Sequence, residues 1–343
     1  MVGQNAKMDG MNPFWKGRCV LVAGGAGFIG SFVVEELVRR GAVVTVADNF
    51  SSGNRENLEA VADRIRLLKV DLTDLVACEQ AVEGQEVVLN LAARVAGVAF
   101  NNEHPATMFW DNVRLNLHLL EAARRKGVQR FEVVSSACVY RRDCPVPTPE
   151  TEGFVDHPEP SNFGYGWAKR MAEVQAMVYA KEYGMKIGIV RPYNAYGPRD
   201  HFDPERSHVI PSLIHRIFLG EDPLVVWGDG SQTRAFLYAE DFARGVIEAV
   251  ERYPVADPIN LGTSEEVRIK DLVELILQMT GRHPTVRFDP SRPSGQPRRN
   301  CDTQKAKRLI GFEAKVPLSE GLQRTIRWYQ DRFSLQRGKA RWG

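Results

Sequence analysis

Residues 19–48 read CVLVAGGAGFIGSFVVEELVRRGAVVTVAD. An apolar, β-branched run (19–24) gives way to a glycine cluster, then to the amphipathic stretch Phe28–Arg40, then to a second apolar run, VVTVAD (43–48). Apolar runs alternating with helical spacing mark strand, helix, strand. Gly24, Gly27 and Gly30 fall between the first strand and the helix, where a Cβ would obstruct the turn, the approach of a pyrophosphate, or the packing of helix on strand. The N-terminus of that helix offers free N–H groups and a favourable dipole to an anion. Asp48 closes the second strand at roughly the 20-residue separation where a carboxylate accepts from the ribose hydroxyls of a dinucleotide. Its charge would repel a 2′-phosphate, so the expected cofactor is NAD rather than NADP.

The alternation continues beyond this unit. IRLLKVDL (65–72), EVVLNLAA (86–93), FEVVSSACVY (131–140) and KIGIVRPY (186–193) read as strands, and 105–126 and 164–183 as helices closed by Gly127 and Gly184. Strands this apolar must be covered on both faces, which predicts an α/β fold with a Rossmann-type, doubly wound parallel sheet. Asp71, after the third strand, is a candidate contact for the adenine amino group. Beyond Gly197 the chain becomes rich in Pro, Gly and charge; 267–280 and 318–332 read as amphipathic helices and SRPSGQPRR (291–299) as a loop. The expected division is a loose tail over 1–14, a cofactor domain over 15–195 and about 231–262, and a smaller, partly helical substrate domain over about 196–230 and 263–335.

Composition narrows the possible partners. The 343 residues are 43% hydrophobic and 26% charged, as in a globular protein with a large core. Forty-five Lys+Arg against 43 Asp+Glu leave +2, too weak a field to draw nucleic acid or a membrane, so an anionic ligand must be held locally. The five cysteines, Cys19, Cys78, Cys138, Cys144 and Cys301, are odd in number and lack CxxC spacing. Neither a metal site nor a disulfide framework is expected, and a reducing, cytoplasmic setting is. No apolar run reaches the length of a bilayer span, and residues 1–12 are polar, without the apolar segment of a signal peptide.

GYGWAK places Tyr165 and Lys169 four residues apart, on one helical face. A phenol titrates near pH 10, and a neighbouring ammonium and a nicotinium both favour its ionised form, so Tyr165 is expected to take the proton of a substrate hydroxyl. Ser136, at the end of its strand, can donate to the same oxygen, whereas alternation turns Ser135 to the other face.

Together, AGGAGFIG, LAA (91–93), SSACVY, Tyr165 with Lys169, RPYNAYGP (191–198) and TRAFLYAED (233–241) resemble an extended short-chain dehydrogenase/reductase acting on nucleotide sugars, over about residues 18–333. NLAARVAGVAFNNEHPATMFWDNV and NAYGPRDHFDPERSHVIPSLIHR are similar to the GDP-fucose synthase and GDP-mannose 3,5-epimerase group. The resemblance adds Phe28, Ile29, Asn49, Leu72, Leu91, Ala92 and Ala93 to the cofactor contacts. It places the substrate diphosphate against Asn194, Arg234 and Arg298, with Arg292 and Arg299 offering the same chemistry in the same loop. It matches Cys138 and His208 to the pair that exchanges protons at the carbons beside a C4 ketone. A ketone acidifies its α-hydrogens, and inversion needs one group on each face.

The implied activity is epimerisation of a GDP-hexose or related GDP-sugar by transient oxidation at C4, exchange at C3 or C5, and return of hydride. The resemblance also implies a homodimer paired through the helices 105–126 and 164–183. Asp48 departs from the NADP-using fucose synthase pattern, which disfavours net reduction. A fucose synthase-like epimerase/reductase and a 4-epimerase or C4 oxidoreductase are the alternatives, with a non-catalytic dinucleotide sensor on the same fold a distant one.

Overall fold

The computed structural model describes residues 13–95, 98–203, 207–292 and 295–340, without the side chains of 98, 99 and 335–340. The first half comprises β1 (Cys19–Ala23), α1 (Phe28–Arg39), β2 (Val43–Asp48), β3 (Ile65–Lys69), α2 (Leu75–Val82), β4 (Val87–Asn90), α3 (Val98–Glu103), α4 (Pro105–Arg125), β5 (Arg130–Val134), α5 (Phe163–Tyr183) and β6 (Lys186–Pro192). The second half adds β7 (Ala195–Tyr196), α6 (Val209–Leu219), β8 (Leu224–Trp227), β9 (Thr233–Ala235), β10 (Leu237–Tyr238), α7 (Ala239–Arg252), β11 (Ile259–Leu261), β12 (Glu266–Arg268), α8 (Ile269–Thr280), β13 (Val286–Asp289), β14 (Arg298–Arg299), α9 (Gln304–Ile310) and α10 (Leu318–Ala340).

Seven strands form one parallel sheet in the order β11-β6-β5-β4-β1-β2-β3. The order reverses between β1 and β4, which opens a crevice at their carboxyl ends. Alternation divides the core in two: Val20, Val22, Val44 and Val46 pack with α1 and α7, while Leu21, Ala23 and Val88 pack with α2, α4 and α5. A third core joins α6, α8 and α10 to β8 through Leu213, Ile217, Leu224, Leu272, Ile276 and Leu322. β10, α7 and β11 return to the main sheet and its cover.

Several boundaries differ from the sequence expectation. FEVVSSACVY is not one strand: β5 stops at Val134, and the Ser136 hydroxyl accepts from the Cys138 N–H at 3.1 Å, capping a 3-10 turn over 137–139. That local bond competes with the ladder. The strands expected over 65–72 and 86–93 end at Lys69 and Asn90, so Asp71 and Leu91–Ala93 lie in the loops beyond them. Arg298 and Arg299, expected in a loop, pair with β9 as β14. Of the expected tail, residues 1–12 lie outside the described residues, whereas Phe14 packs edge-on against the fully buried Trp15.

Candidate active site

The turn after β1 admits only glycine at two positions. Gly24 has φ +73°, and a Cβ there would stand 2.7 Å from the backbone N of Ala92. A Cβ on Gly30 would collide with the Gly24 carbonyl. Gly27 differs, because its Cβ would meet only that carbonyl oxygen, at 3.2 Å, and otherwise open space. Gly27 caps α1 without a side-chain bond, and the first turn holds no acidic residue. The N–H groups of Phe28, Ile29 and Gly30 are thus placed for an anion that a side chain at position 27 would displace.

Asp48 ends β2 almost fully buried, and its carboxylate accepts from the N–H of Ala26 at 3.0 Å and of Phe50 at 2.8 Å. Burial pushes its pKa up, against those two donors. It therefore ties the glycine turn to the loop after β2. Asn49 follows, its side chain accepting from the Ser51 N–H at 2.9 Å. Leu91 and Ala92 close the far wall against Gly24, with Ala93 next in the chain. Asp71 is exposed and turned into its own loop, accepting from the N–H and hydroxyl of Thr73 at 2.9 Å each, beside the buried Leu72. A glycine cradle, a free helix N-terminus and an acidic strand end fit a dinucleotide.

On α5, Tyr165, Lys169 and Glu173 follow one another at four-residue spacing. Glu173 is fully buried, pairs with Arg191 at 2.7 Å and accepts from the Ser135 hydroxyl. Arg191 also donates to the Tyr140 hydroxyl at 3.1 Å, and that hydroxyl donates to Asn260 at 2.6 Å. This network locks α5 onto the ends of β5, β6 and β11, and breaking such a buried pair costs about 3–5 kcal/mol. Ser135 thus serves structure, while Ser136 stands beside Tyr165 and opposes the rise of its pKa.

Lys169 Nζ donates to the Val134 carbonyl at 2.8 Å and lies 5.6 Å from the Tyr165 ring centre. Burial draws its pKa down to about 8, against Cys138 and Glu173. The expected lowering of the phenol is not supplied by the protein's own groups. Burial and then Cys138 push Tyr165 up, with only Ser136 opposing, because the ammonium is directed at a carbonyl.

Cys138 lines a cavity with Tyr193, Glu159, Asn162 and Arg299. The Arg299 guanidinium lies 5.9 Å from the centre of the Tyr193 ring, on the same cavity wall as Cys138. Across the β14–β9 pair it faces Arg234, whose pKa is drawn down to about 10 by burial and by that second guanidinium. Two cations held together make a receptive site for a dianion. Arg298 lines the same cavity while held in a 2.6 Å ion pair with Glu266, and Arg292 stands 3.8 Å from Asp289. Of the two strand residues, Arg299 is the one set against Arg234. Asn194, with φ +29°, donates to the Ala235 carbonyl at 2.8 Å and so buttresses this wall. His208 caps α6 with its side chain 57% exposed, 3.9 Å from the buried carboxylate of Asp200. Arg299 was one of the three arginines the sequence offered for the diphosphate, whereas Asp200, Glu159 and Glu173 were not singled out; an acid eight residues before His208 was the one available hint.

Residues 20–262 match the model of the NAD dependent epimerase/dehydratase family. The chain is 35% identical to dTDP-4-dehydro-6-deoxy-D-allose reductase of Streptomyces bikiniensis, over 92% of this chain and 97% of that protein. It is 33% identical to probable GDP-L-fucose synthase 1 of Oryza sativa subsp. japonica, over 92% of each. Its fold superposes on UDP-glucose 4-epimerase of Thermotoga maritima, solved with UDP-glucose, with a TM-score of 0.84 and 33% identity, covering 92% of this chain and 99% of the other. These relatives are named for three different nucleotides, and as a reductase, a synthase and an epimerase. The chain belongs to the NAD dependent epimerase/dehydratase family, and NAD is its cofactor.

Proposed function

We propose that the chain is a nucleotide-sugar epimerase, with a GDP-hexose or related GDP-sugar as substrate, working in the cytoplasm. The observation that carries this reading is the place of the Cys138 thiol, in the turn that Ser136 caps and on one cavity wall with Arg299. An oxidoreductase needs no such thiol, whereas exchange at a carbon beside a ketone needs a group that takes a proton and another that returns it. The five cysteines are free, as a reducing compartment would keep them. Among the described residues no helix is long and apolar enough to cross a membrane.

The glycine cradle and Asp48 would hold NAD, which when bound accepts hydride from C4 and later returns it. Tyr165, with Ser136 beside it, takes the proton of the C4 hydroxyl, and both then donate to the ketone oxygen. Lys169 keeps a positive charge beside the phenol, and Arg234 with Arg299 would bind the diphosphate. Cys138 and His208 exchange protons at C3 or C5 while the ketone persists. The likeness to a sugar reductase and a fucose synthase favours one second reading, an epimerase/reductase that consumes reduced cofactor.

Incubation of purified protein with a panel of nucleotide sugars in D2O, without added cofactor, tests both readings by mass spectrometry. Deuterium should enter the GDP-sugar. Cys138→Ser and His208→Asn should still form the ketone and bound reduced cofactor but lose inversion. Uptake at the wild-type rate in both variants would show that neither residue moves the proton. Uptake followed by net reduction only when NADH or NADPH is supplied would favour the reductase.

A further inference from the structure

Asp200 closes the loop that leads from β7 toward α6, and its carboxylate is nearly inaccessible to solvent. One oxygen, Oδ1, accepts from the N–H of His201 at 2.7 Å and lies 3.9 Å from Nδ1 of His208. The other, Oδ2, is buried with no hydrogen-bond partner among the described residues. Leaving a carboxylate oxygen unpaired in the interior is costly, and a protonated imidazole is the group that relieves it. At 3.9 Å the two stand at an ion-pair distance, longer than a hydrogen bond. His208 itself remains exposed.

Two charged groups act on His208 from the elements around it. The Asp200 carboxylate raises its pKa, and the guanidinium of Arg299 on β14 opposes. A carboxylate against the imidazole favours the imidazolium.

We propose that Asp200 is the positioning residue that holds His208 in its charged form as a proton donor. This rests on the epimerase reading above. In the forward step the C–H bond beside the C4 ketone breaks, its electron pair moves onto the ketone oxygen as an enolate, and the proton goes to the Cys138 sulfur. The enolate electron pair then forms a new C–H bond with the proton of the His208 imidazolium on the opposite face, and the ketone returns. Thiol and neutral imidazole are reset by proton exchange with water. Asp200 touches neither substrate nor cofactor, and acts only through His208.

The test is an NMR pH titration of imidazole-labelled holoenzyme, with the His208 signal assigned by its loss in His208→Asn. His208 should titrate above the ordinary imidazole value in the wild type and fall toward it in Asp200→Asn, with recovery in Asp200→Glu. The alkaline limb of deuterium uptake should move to lower pH in Asp200→Asn, and the rate at pH 8 should drop about tenfold or more. A wild-type His208 that titrates at or below the ordinary value would overturn the proposal, even if no Asp200 variant folds. So would an Asp200→Asn variant with unchanged titration and pH profile. If the epimerase reading alone is wrong, the titration will behave as expected while His208→Asn exchanges deuterium at the wild-type rate.

Discussion

Asp48 has two partners to satisfy, the turn that it ties down and the ribose that it would receive. Its two backbone donors, Ala26 and Phe50, flank the glycine cradle, so the carboxylate is fixed before a ligand arrives. A fixed, buried charge discriminates strongly against a second anion, because there is little water to screen it. NAD should therefore bind much more tightly than NADP, and Asp48→Ala should narrow the gap, mostly by weakening NAD about tenfold. Calorimetric titration of both cofactors into stripped protein measures this. Comparable wild-type affinities would remove the assignment.

Within the elements, β5 carries a second buried carboxyl whose situation is the reverse of Asp48. Glu132 is fully buried, neither side-chain oxygen has a hydrogen-bond partner among the described residues, and a Cβ at Gly188 on β6 would collide with it. Burial raises its pKa well above the ordinary carboxylate value. The folded state thus keeps a proton that the unfolded chain releases above about pH 4.5. The resulting stabilisation is full below that pH and is lost as pH rises. Glu132→Gln keeps the shape and cannot ionise, so it should raise the melting temperature by about 2 °C or more at pH 8, with the gain vanishing toward pH 4. A constant difference across pH in calorimetry would show that ionisation is not the cost. The buried Glu173 contrasts with it, since Arg191 and Ser135 satisfy its charge and turn it into a clamp on α5.

For the molecule as a whole, α4 and α5 pack together yet leave apolar side chains in water: Leu117 on one, and Met171, Val174 and Val178 on the other. A contiguous apolar face of this kind is costly for a monomer. We propose that it is covered by the same face of a second copy in a two-fold dimer. Light scattering should give a dimeric mass at micromolar concentration, and Leu117→Glu with Val178→Glu should give a folded monomer. A monomeric wild type would end the proposal. Because α5 also carries Tyr165 and Lys169, the double variant should lose activity in step with dissociation.

The periodicity of residues 19–48 and its repetition sufficed for the parallel sheet, the cofactor turn and the Tyr165–Lys169 face, since these depend on neighbours along the chain. Strand ends were less legible: β5 stops because a Ser136 hydroxyl captures a backbone N–H, and periodicity carries no record of that capture. What only tertiary packing decided lies between distant segments. Arg298 and Arg299 are equivalent as letters, but pairing of β14 with β9 sets one in an ion pair with Glu266 and the other opposite Arg234. Asp71 had a plausible position and a local partner that claimed it. Asp200 beside His208, and Glu173 beneath Arg191, acquire their chemistry from burial and from the charge opposite. Both are properties of the folded interior, where a carboxylate without a partner costs far more than it does in the unfolded chain.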